Sequence, residues 1–125
     1  MKFETVHTCI RVADLEASVK FYTEALGYVE TRRMDKPEDQ FTLVFLSDGI
    51  SQHQLELTYN YDHGPYDIGN GFSHVAMVTD DLEAAHGRHR SLGYQVTEMY
   101  SVRGGKPNIY FVTDPDGYDV EIIQR

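Results

Sequence analysis

One pattern occurs twice in this chain and constrains its fold more than any other feature. A histidine opens an apolar-alternating run at Val6-His7-Thr8-Cys9-Ile10-Arg11-Val12, and a second opens His74-Val75-Ala76-Met77-Val78. Seven residues after each histidine stands the same tetrad, Asp14-Leu15-Glu16-Ala17 and Asp81-Leu82-Glu83-Ala84. Leu26-Gly27-Tyr28 is matched by Leu92-Gly93-Tyr94. Each repeat closes on a glutamate between aliphatics, Leu55-Glu56-Leu57 and Val120-Glu121-Ile122, lying 49 and 47 residues after its histidine. Two histidines and two glutamates therefore hold equivalent places in two modules of one plan.

The alternation of residues 6–12 predicts a strand, with Val6, Thr8, Ile10 and Val12 on one face and His7, Cys9 and Arg11 on the other. Asp14 is a helix N-cap, and Glu16 in the first turn suits the helix dipole. Leu15, Val19, Tyr22 and Leu26 recur at helical spacing as a buried stripe, and Gly27 is a C-terminal stop. Strands are expected at 28–33, 40–46 and 54–59, with a polar loop at 34–40 and a turn at Ser47-Asp48-Gly49. Residues 61–72, rich in Gly, Asp and Tyr, read as a linker between modules at roughly 1–60 and 73–125. The second module repeats the order, with strands at 74–79, 96–100, 108–112 and 118–123 and a helix at 81–92. That helix reads less strongly, because Gly87 costs about 1 kcal/mol relative to alanine. Asp114-Pro115-Asp116-Gly117 fits a type I turn. The fold class expected is α+β: tandem βαβββ modules forming a curved, partly open mixed sheet.

The bulk properties exclude several functions. At 125 residues the chain is one domain or two small fused modules. A net charge of −9 argues against nucleic acid, whose phosphates need a basic surface. With the single cysteine Cys9, no internal disulfide and no cysteine zinc site is possible. No long apolar run marks a signal peptide or membrane span, so a cytoplasmic protein without membrane partners is expected.

The topology also makes a geometric prediction. The first and last strands of each module run parallel, and closing the module makes them neighbours. His7 then lies beside Glu56, and His74 beside Glu121. Two imidazoles and two carboxylates leave open positions on an octahedral divalent ion, which indicates a catalytic rather than a closed structural site. The mixture suits nickel, cobalt, manganese, iron or zinc. Arg11 and Asn60 fall four residues further along the same strands, about 13 Å away at 3.3 Å per residue. A guanidinium there suits a substrate carboxylate through a bidentate fork. This pair is not doubled, since its counterparts are Val78 and Arg125. Arg103 and Lys106 flank Gly104-Gly105 in a loop suited to an anionic ligand. His86 and His89 stand where the first helix has Val19 and Tyr22, and read as helix packing residues.

Taken together, these residues resemble the glyoxalase I (lactoylglutathione lyase) family of the vicinal oxygen chelate superfamily, over nearly the whole chain. The marks are His7-Thr8-Cys9-Ile10-Arg11-Val12, Phe21-Tyr22-Thr23, Glu56-Leu57-Thr58-Tyr59-Asn60, Gly71-Phe72-Ser73-His74 and Asp114-Pro115-Asp116-Gly117-Tyr118 followed by Glu121. The resemblance implies a homodimer whose metal site is held by His7, Glu56, His74 and Glu121. It implies Arg11 and Asn60 at the glutamyl end of glutathione, and Arg103 and Lys106 in a loop over its glycine end. Asn70 departs from relatives that carry an arginine four residues before the second histidine, so part of the usual carboxylate clamp is absent or supplied elsewhere. The short form with His7 resembles the class activated by Ni(2+) or Co(2+), with Zn(2+) less favoured. The implied reaction isomerises the methylglyoxal–glutathione hemithioacetal to S-D-lactoylglutathione through an enediolate, with Glu121 as base and Glu56 as its symmetric alternative. The alternatives are a same-fold thioester epimerase or extradiol-type dioxygenase, and a non-catalytic small-molecule-binding module.

Overall fold

The computed structural model describes all residues, Met1–Arg125. The chain forms two compact units, residues 1–67 and 68–125, each with its own open mixed sheet and one helix. The architecture is α+β, as the pattern predicts, with one sheet per unit.

In the first unit, β1 (His7–Arg11) is followed by α1 (Leu15–Leu26), β2 (Val29–Lys36), β3 (Phe41–Ser47) and β4 (Gln54–Asn60). The sheet order is β1-β4-β3-β2, so the first and last strands are neighbours. They run parallel, while β2–β3 and β3–β4 are antiparallel. Asp14 caps α1 by accepting from the Ala17 N–H at 3.1 Å. Gly27 ends it with φ of 72°, a left-handed conformation that glycine adopts without a Cβ penalty. The helix buries Leu15, Ser18, Phe21, Tyr22 and Ala25. Its buried stripe is thus turned from the expected one: Val19 and Leu26 are only half-buried, because the larger Phe21 ring takes the centre, edge-on to Tyr22 at 4.9 Å. Ile10, Val12, Val44, Leu46, Leu55 and Leu57 complete the core on the helix side of the sheet. β2 runs three residues beyond its expected end, into the segment expected to loop. As the edge strand it carries Glu30, Arg32, Arg33, Asp35 and Lys36, which discourage pairing with another chain.

In the second unit, β5 (His74–Thr79) leads into α2 (Leu82–Ser91), then β6 (Ile109–Thr113) and β7 (Asp119–Gln124). The order is β5-β7-β6, again with first and last strands parallel and adjacent. Asp81 caps α2 as Asp14 caps α1, accepting from the Ala84 N–H at 3.0 Å. Residues 96–100, expected as a strand, make only isolated bridges, Val96 to Val112 and Tyr100 to Ile109. The segment is pinned at its ends and at Thr97 instead of laddered throughout, so this unit has three strands rather than four. The turn after β6 forms as expected, with the Gly117 N–H donating to the Asp114 carbonyl at 3.1 Å.

His86 and His89 are buried on α2 and both contact the ring of buried Tyr110, at 4.8 and 5.9 Å. His86 Nε2 donates to the Thr97 carbonyl at 2.8 Å, and His89 Nδ1 meets the Tyr110 hydroxyl at 2.8 Å. These bonds satisfy polar groups that burial would otherwise penalise. They also explain how a helix with little apolar surface packs on its sheet. No helix is long and apolar enough to cross a membrane.

Candidate metal centre

Each sheet has one face covered by its helix, so the opposite face carries the polar residues of the parallel strand pair. In the first unit that face holds His7, Cys9 and Arg11 from β1 and Gln54, Glu56, Thr58 and Asn60 from β4. The parallel register sets His7 against Gln54 and Cys9 against Glu56. His7 and Glu56 are therefore diagonal neighbours, not directly opposed, and their Nε2 and Oε1 atoms stand 3.9 Å apart. In the second unit, Ala76 pairs with Glu121 and His74 with Asp119, the same diagonal relation. There His74 Nε2 lies 3.2 Å from Glu121 Oε1. The structure thus brings the four predicted ligands together as two imidazole–carboxylate pairs, one in each unit. No group of three or more His, Cys, Asp or Glu side chains is gathered to hold an ion.

Each imidazole leans edge-on against a phenylalanine, His7 on Phe45 at 5.7 Å and His74 on Phe111 at 5.1 Å. Phe45 pairs with Glu56 and Phe111 with Glu121, so each glutamate has its own aromatic neighbour one strand over. Sequence reasoning missed these two rings. Their signal was present in the repeat, as Leu43-Val44-Phe45-Leu46 against Ile109-Tyr110-Phe111-Val112. At His74 the Ser73 hydroxyl sits 2.6 Å from Nδ1, which leaves Nε2 facing the glutamate. A partner on the far ring nitrogen is the usual means of orienting an imidazole ligand. The imidazoles are 43% and 31% exposed and the carboxylates 13% and 18%, so in each pair the carboxylate is the more sheltered partner. The donor chemistry fits a borderline divalent cation.

Cys9 lies between the two polar partners on β4. Its sulfur is 3.1 Å from the Thr58 hydroxyl and 3.9 Å from the Ile10 carbonyl oxygen. Burial pushes the thiol above its ordinary value, the Thr58 hydroxyl offsets part of that, and the neighbouring Glu56 carboxylate adds to the rise, so the thiol remains protonated at neutral pH.

A third missed residue is Arg32. The register of β2 on β3 shifts between Glu30 and Arg32, which leaves Thr31 as the extra residue and sets Arg32 opposite Phe45. Such a bulge re-aims side chains that strict alternation would send elsewhere, which is why spacing did not reveal it. The guanidinium carbon lies 5.7 Å from the Phe45 ring centre, and Arg32 helps to line a cavity of about 410 Å³ beside His7.

Arg11 is exposed at the end of β1, on the same face as His7, and pairs with Thr58. Asn60 ends β4, where its amide donates to the Tyr66 hydroxyl at 2.9 Å, and Tyr66 in turn stacks on His63 at 4.0 Å. Arg103 is exposed in the loop before β6, where the Ser101 hydroxyl donates to the Gly104 carbonyl at 2.8 Å. Lys106 lines a cavity of about 420 Å³ with Asp81, Leu82 and Glu83 at the start of α2.

The chain also matches known proteins over nearly its whole length. Residues 5–122 fit the model of the Glyoxalase/Bleomycin resistance protein/Dioxygenase superfamily. A lactoylglutathione lyase of Haemophilus influenzae is 42% identical over 98% of this chain and 93% of its own length. One from Salmonella typhimurium is 41% identical over 95% of the chain and 90% of its own length. Glyoxalase I from Zea mays superposes with a TM-score of 0.89 at 40% identity, covering 97% of this chain, which spans 44% of the maize chain. The trypanothione-dependent glyoxalase I of Leishmania major gives a TM-score of 0.88 at 36% identity, over 98% of this chain and 87% of its own. Two parallel-strand imidazole–carboxylate pairs on one repeated scaffold, matched at this identity over nearly the whole length, place the chain in the Glyoxalase/Bleomycin resistance protein/Dioxygenase superfamily.

Proposed function

We propose that this chain is a glyoxalase I, a cytoplasmic lactoylglutathione lyase that isomerises the methylglyoxal–glutathione hemithioacetal to S-D-lactoylglutathione. The observation that carries the reading is the doubled imidazole–carboxylate pair, His7 with Glu56 and His74 with Glu121. Relatives named lactoylglutathione lyase at 41–44% identity supply the reaction class.

On this reading all four residues hold one divalent ion, Ni(2+) or Co(2+) in preference to Zn(2+). A homodimer supplies both half-sets by setting a pair from one copy against a pair from the second. When bound, the ion acts as a Lewis acid toward the substrate oxygens and offsets the negative charge that develops as the carbon acid ionises. The chain's own residues do the rest. Glu121 takes the proton from the carbon bearing sulfur and returns it to the neighbouring carbon. It is suited to this by its position, half-sheltered and turned toward His74 on an open strand face. General acid–base help of this kind is worth about 10²–10⁴-fold.

Arg11 holds a substrate carboxylate through its planar fork. Asn60 already donates its amide to Tyr66, so its carbonyl oxygen is the atom suited to a ligand ammonium group. Those are the two charges of a glutamyl end. Arg103 and Lys106 provide cations for the glycine carboxylate at the far end of the same thiol.

The test strips the protein of metal, adds each divalent ion in turn, and follows thioester absorbance after methylglyoxal and glutathione are mixed. The reading expects no turnover without metal and the highest turnover with Ni(2+) or Co(2+). Absence of thioester with every ion would sink it. Because the Leishmania relative is trypanothione-dependent, the assay is run with both thiols. Faster turnover with trypanothione would reassign the co-substrate and leave the isomerase reading intact.

A further inference from the structure

Two arginines stand side by side on β2 and meet different partners. Arg33 is neutralised twice, by Glu30 at 2.9 Å and by Glu16 at 3.1 Å. Arg32 forms no ion pair, and its guanidinium rests against the Phe45 ring at 5.7 Å. In a chain of net charge −9, a cation without a carboxylate stands out. The β2 bulge sets its place. Thr31 and Arg32 are successive in sequence, yet both line the cavity of about 410 Å³ beside His7. Regular alternation would send them to opposite faces, and the extra residue of a bulge removes that constraint. The Thr31 hydroxyl donates to the Gln54 side-chain oxygen at 3.3 Å. That bond occupies the amide's acceptor and leaves its NH₂ group to donate into the cavity. No acidic side chain lines the cavity.

We propose that this cavity is a subsite for a carboxylate on the carbonyl substrate's tail, and that Arg32 selects it, so that 2-oxoaldehydes ending in a carboxylate are turned over in preference to neutral ones of the same length. The substrate assignment rests on the isomerase reading above; the anion subsite is a property of the first unit alone. Arg32, Phe45 and Glu56 fall in one row across β2, β3 and β4. At about 4.8 Å per strand, the Arg32 backbone lies about 10 Å from that of Glu56. The arginine side chain reaches over Phe45 and covers part of that span, and a chain of a few carbons covers the rest. Direction agrees with distance. Gln54 pairs with His7 at the start of β1, whereas Arg11 and Asn60 end β1 and β4. A thiol conjugate held from Arg11 and Asn60 comes in from one end of these strands, and the cavity opens at the other. In the hemithioacetal, sulfur leaves one carbon and the tail leaves its neighbour, so the tail is the part that faces the cavity. A methyl tail leaves most of that space empty, while a carboxylate-ended tail meets a planar fork of donors. The reaction is unaltered. The carbon-bound proton moves to the neighbouring carbon and the hydroxyl proton to the neighbouring oxygen. The aldehyde carbon ends oxidised as a thioester and the ketone carbon reduced as a carbinol, without a co-reactant.

The experiment uses the whole metal-loaded chain. It compares 5,6-dioxohexanoate with its methyl ester, each mixed with glutathione, by thioester absorbance. The readout is the ratio of their kcat/KM values, in which a general loss of folding or activity cancels. A hydrogen-bonded charge at Arg32 is expected to favour the acid by about tenfold or more. Arg32→Met keeps an aliphatic stem on Phe45 and removes the charge, and its ratio is expected to fall to about one or below. Arg32→Lys keeps the charge without the fork and is expected to fall between the two. A wild-type ratio near one, or an acid preference that survives in Arg32→Met, would overturn the proposal.

A second measurement needs no turnover. In metal-free protein, butyrate is expected to shift the Arg32 Nε–H and Gln54 side-chain amide resonances, and butyramide to leave them in place. Equal responses to the two probes, or none to butyrate, would overturn the anion subsite. A wild type that makes no thioester from methylglyoxal would sink the isomerase reading and the substrate assignment with it, and the butyrate titration would still decide the subsite.

Discussion

The two units carry the same imidazole–carboxylate pair on different supports, and the contrast separates what that pair needs from what the fold tolerates. Unit one rests its sheet on an α1 of aromatic and aliphatic residues, with Phe21 and Tyr22 at the centre. Unit two rests on an α2 that buries His86 and His89, and it satisfies their nitrogens with a backbone carbonyl and a tyrosine hydroxyl. One sheet has four strands and the other three. Even so, the parallel edge, the diagonal histidine–glutamate relation and the phenylalanine against each imidazole occur in both. The register of the parallel pair is what the site requires. The helix chemistry and the fourth strand are free to differ.

The largest expected effect tests whether the two glutamates are equivalent. Glu121→Gln should retain metal and lose about 10²–10⁴-fold in turnover, the worth of general acid–base help. Glu56→Gln should show its defect first as lost metal. Metal content measured beside turnover separates these outcomes. Equal metal loss in both variants would make the two glutamates equivalent ligands.

Next in size is the core behind each pair. Leu57 and Ile122 follow Glu56 and Glu121 and are 0% and 4% exposed. Truncating either to alanine should cost about 2–5 kcal/mol, from lost transfer energy and a residual cavity. Urea melts of Leu57→Ala and Ile122→Ala would show whether histidine-backed and aromatic-backed cores resist equally. A cost near zero at Ile122 would mean that the second sheet collapses around the gap.

Arg11 has no counterpart, since Val78 stands in its place. Hydrogen bonds to charged groups contribute about 1.5–3 kcal/mol. Arg11→Met should therefore raise KM for the glutathione conjugate by about tenfold or more, leaving kcat much less changed. Val78→Arg should leave KM alone. An effect of Arg11→Met on kcat alone would remove it from substrate binding.

The smallest effect concerns the caps. Asp14→Ala and Asp81→Ala each remove a bond to an exposed helix amide and should cost about 1 kcal/mol. Amide hydrogen exchange along α1 and α2 is the measurement. A smaller response in α2 would show that its two buried histidines, rather than its cap, hold it in place.

Much of this was legible in the chain itself. The tandem plan, the parallel first and last strands, the Asp14 cap and the pairing of each histidine with its glutamate all follow from spacings and alternation, which are local and repeat. The errors have a common cause. Residues 96–100 alternate like a strand, yet Tyr100 and Val96 find only isolated partners, because a ladder needs a neighbour along its whole length. Leu15 and Tyr22 of the expected stripe are buried, but Val19 and Leu26 gave way to Phe21 and Ala25, because packing against the sheet rather than spacing alone decides which side of a helix is covered. Arg32 was missed because a bulge shifts the alternation on which the prediction relies.

By itself the sequence determined that two equivalent imidazole–carboxylate pairs would form, because period-two alternation and a repeated separation of histidine from glutamate leave a closed module no other way to place them. Only the tertiary structure decided the register. It set Cys9 beside Glu56 and Ala76 beside Glu121, with phenylalanine against both imidazoles. Register follows from long-range packing and hydrogen-bond matching between strands some fifty residues apart, which no local pattern encodes.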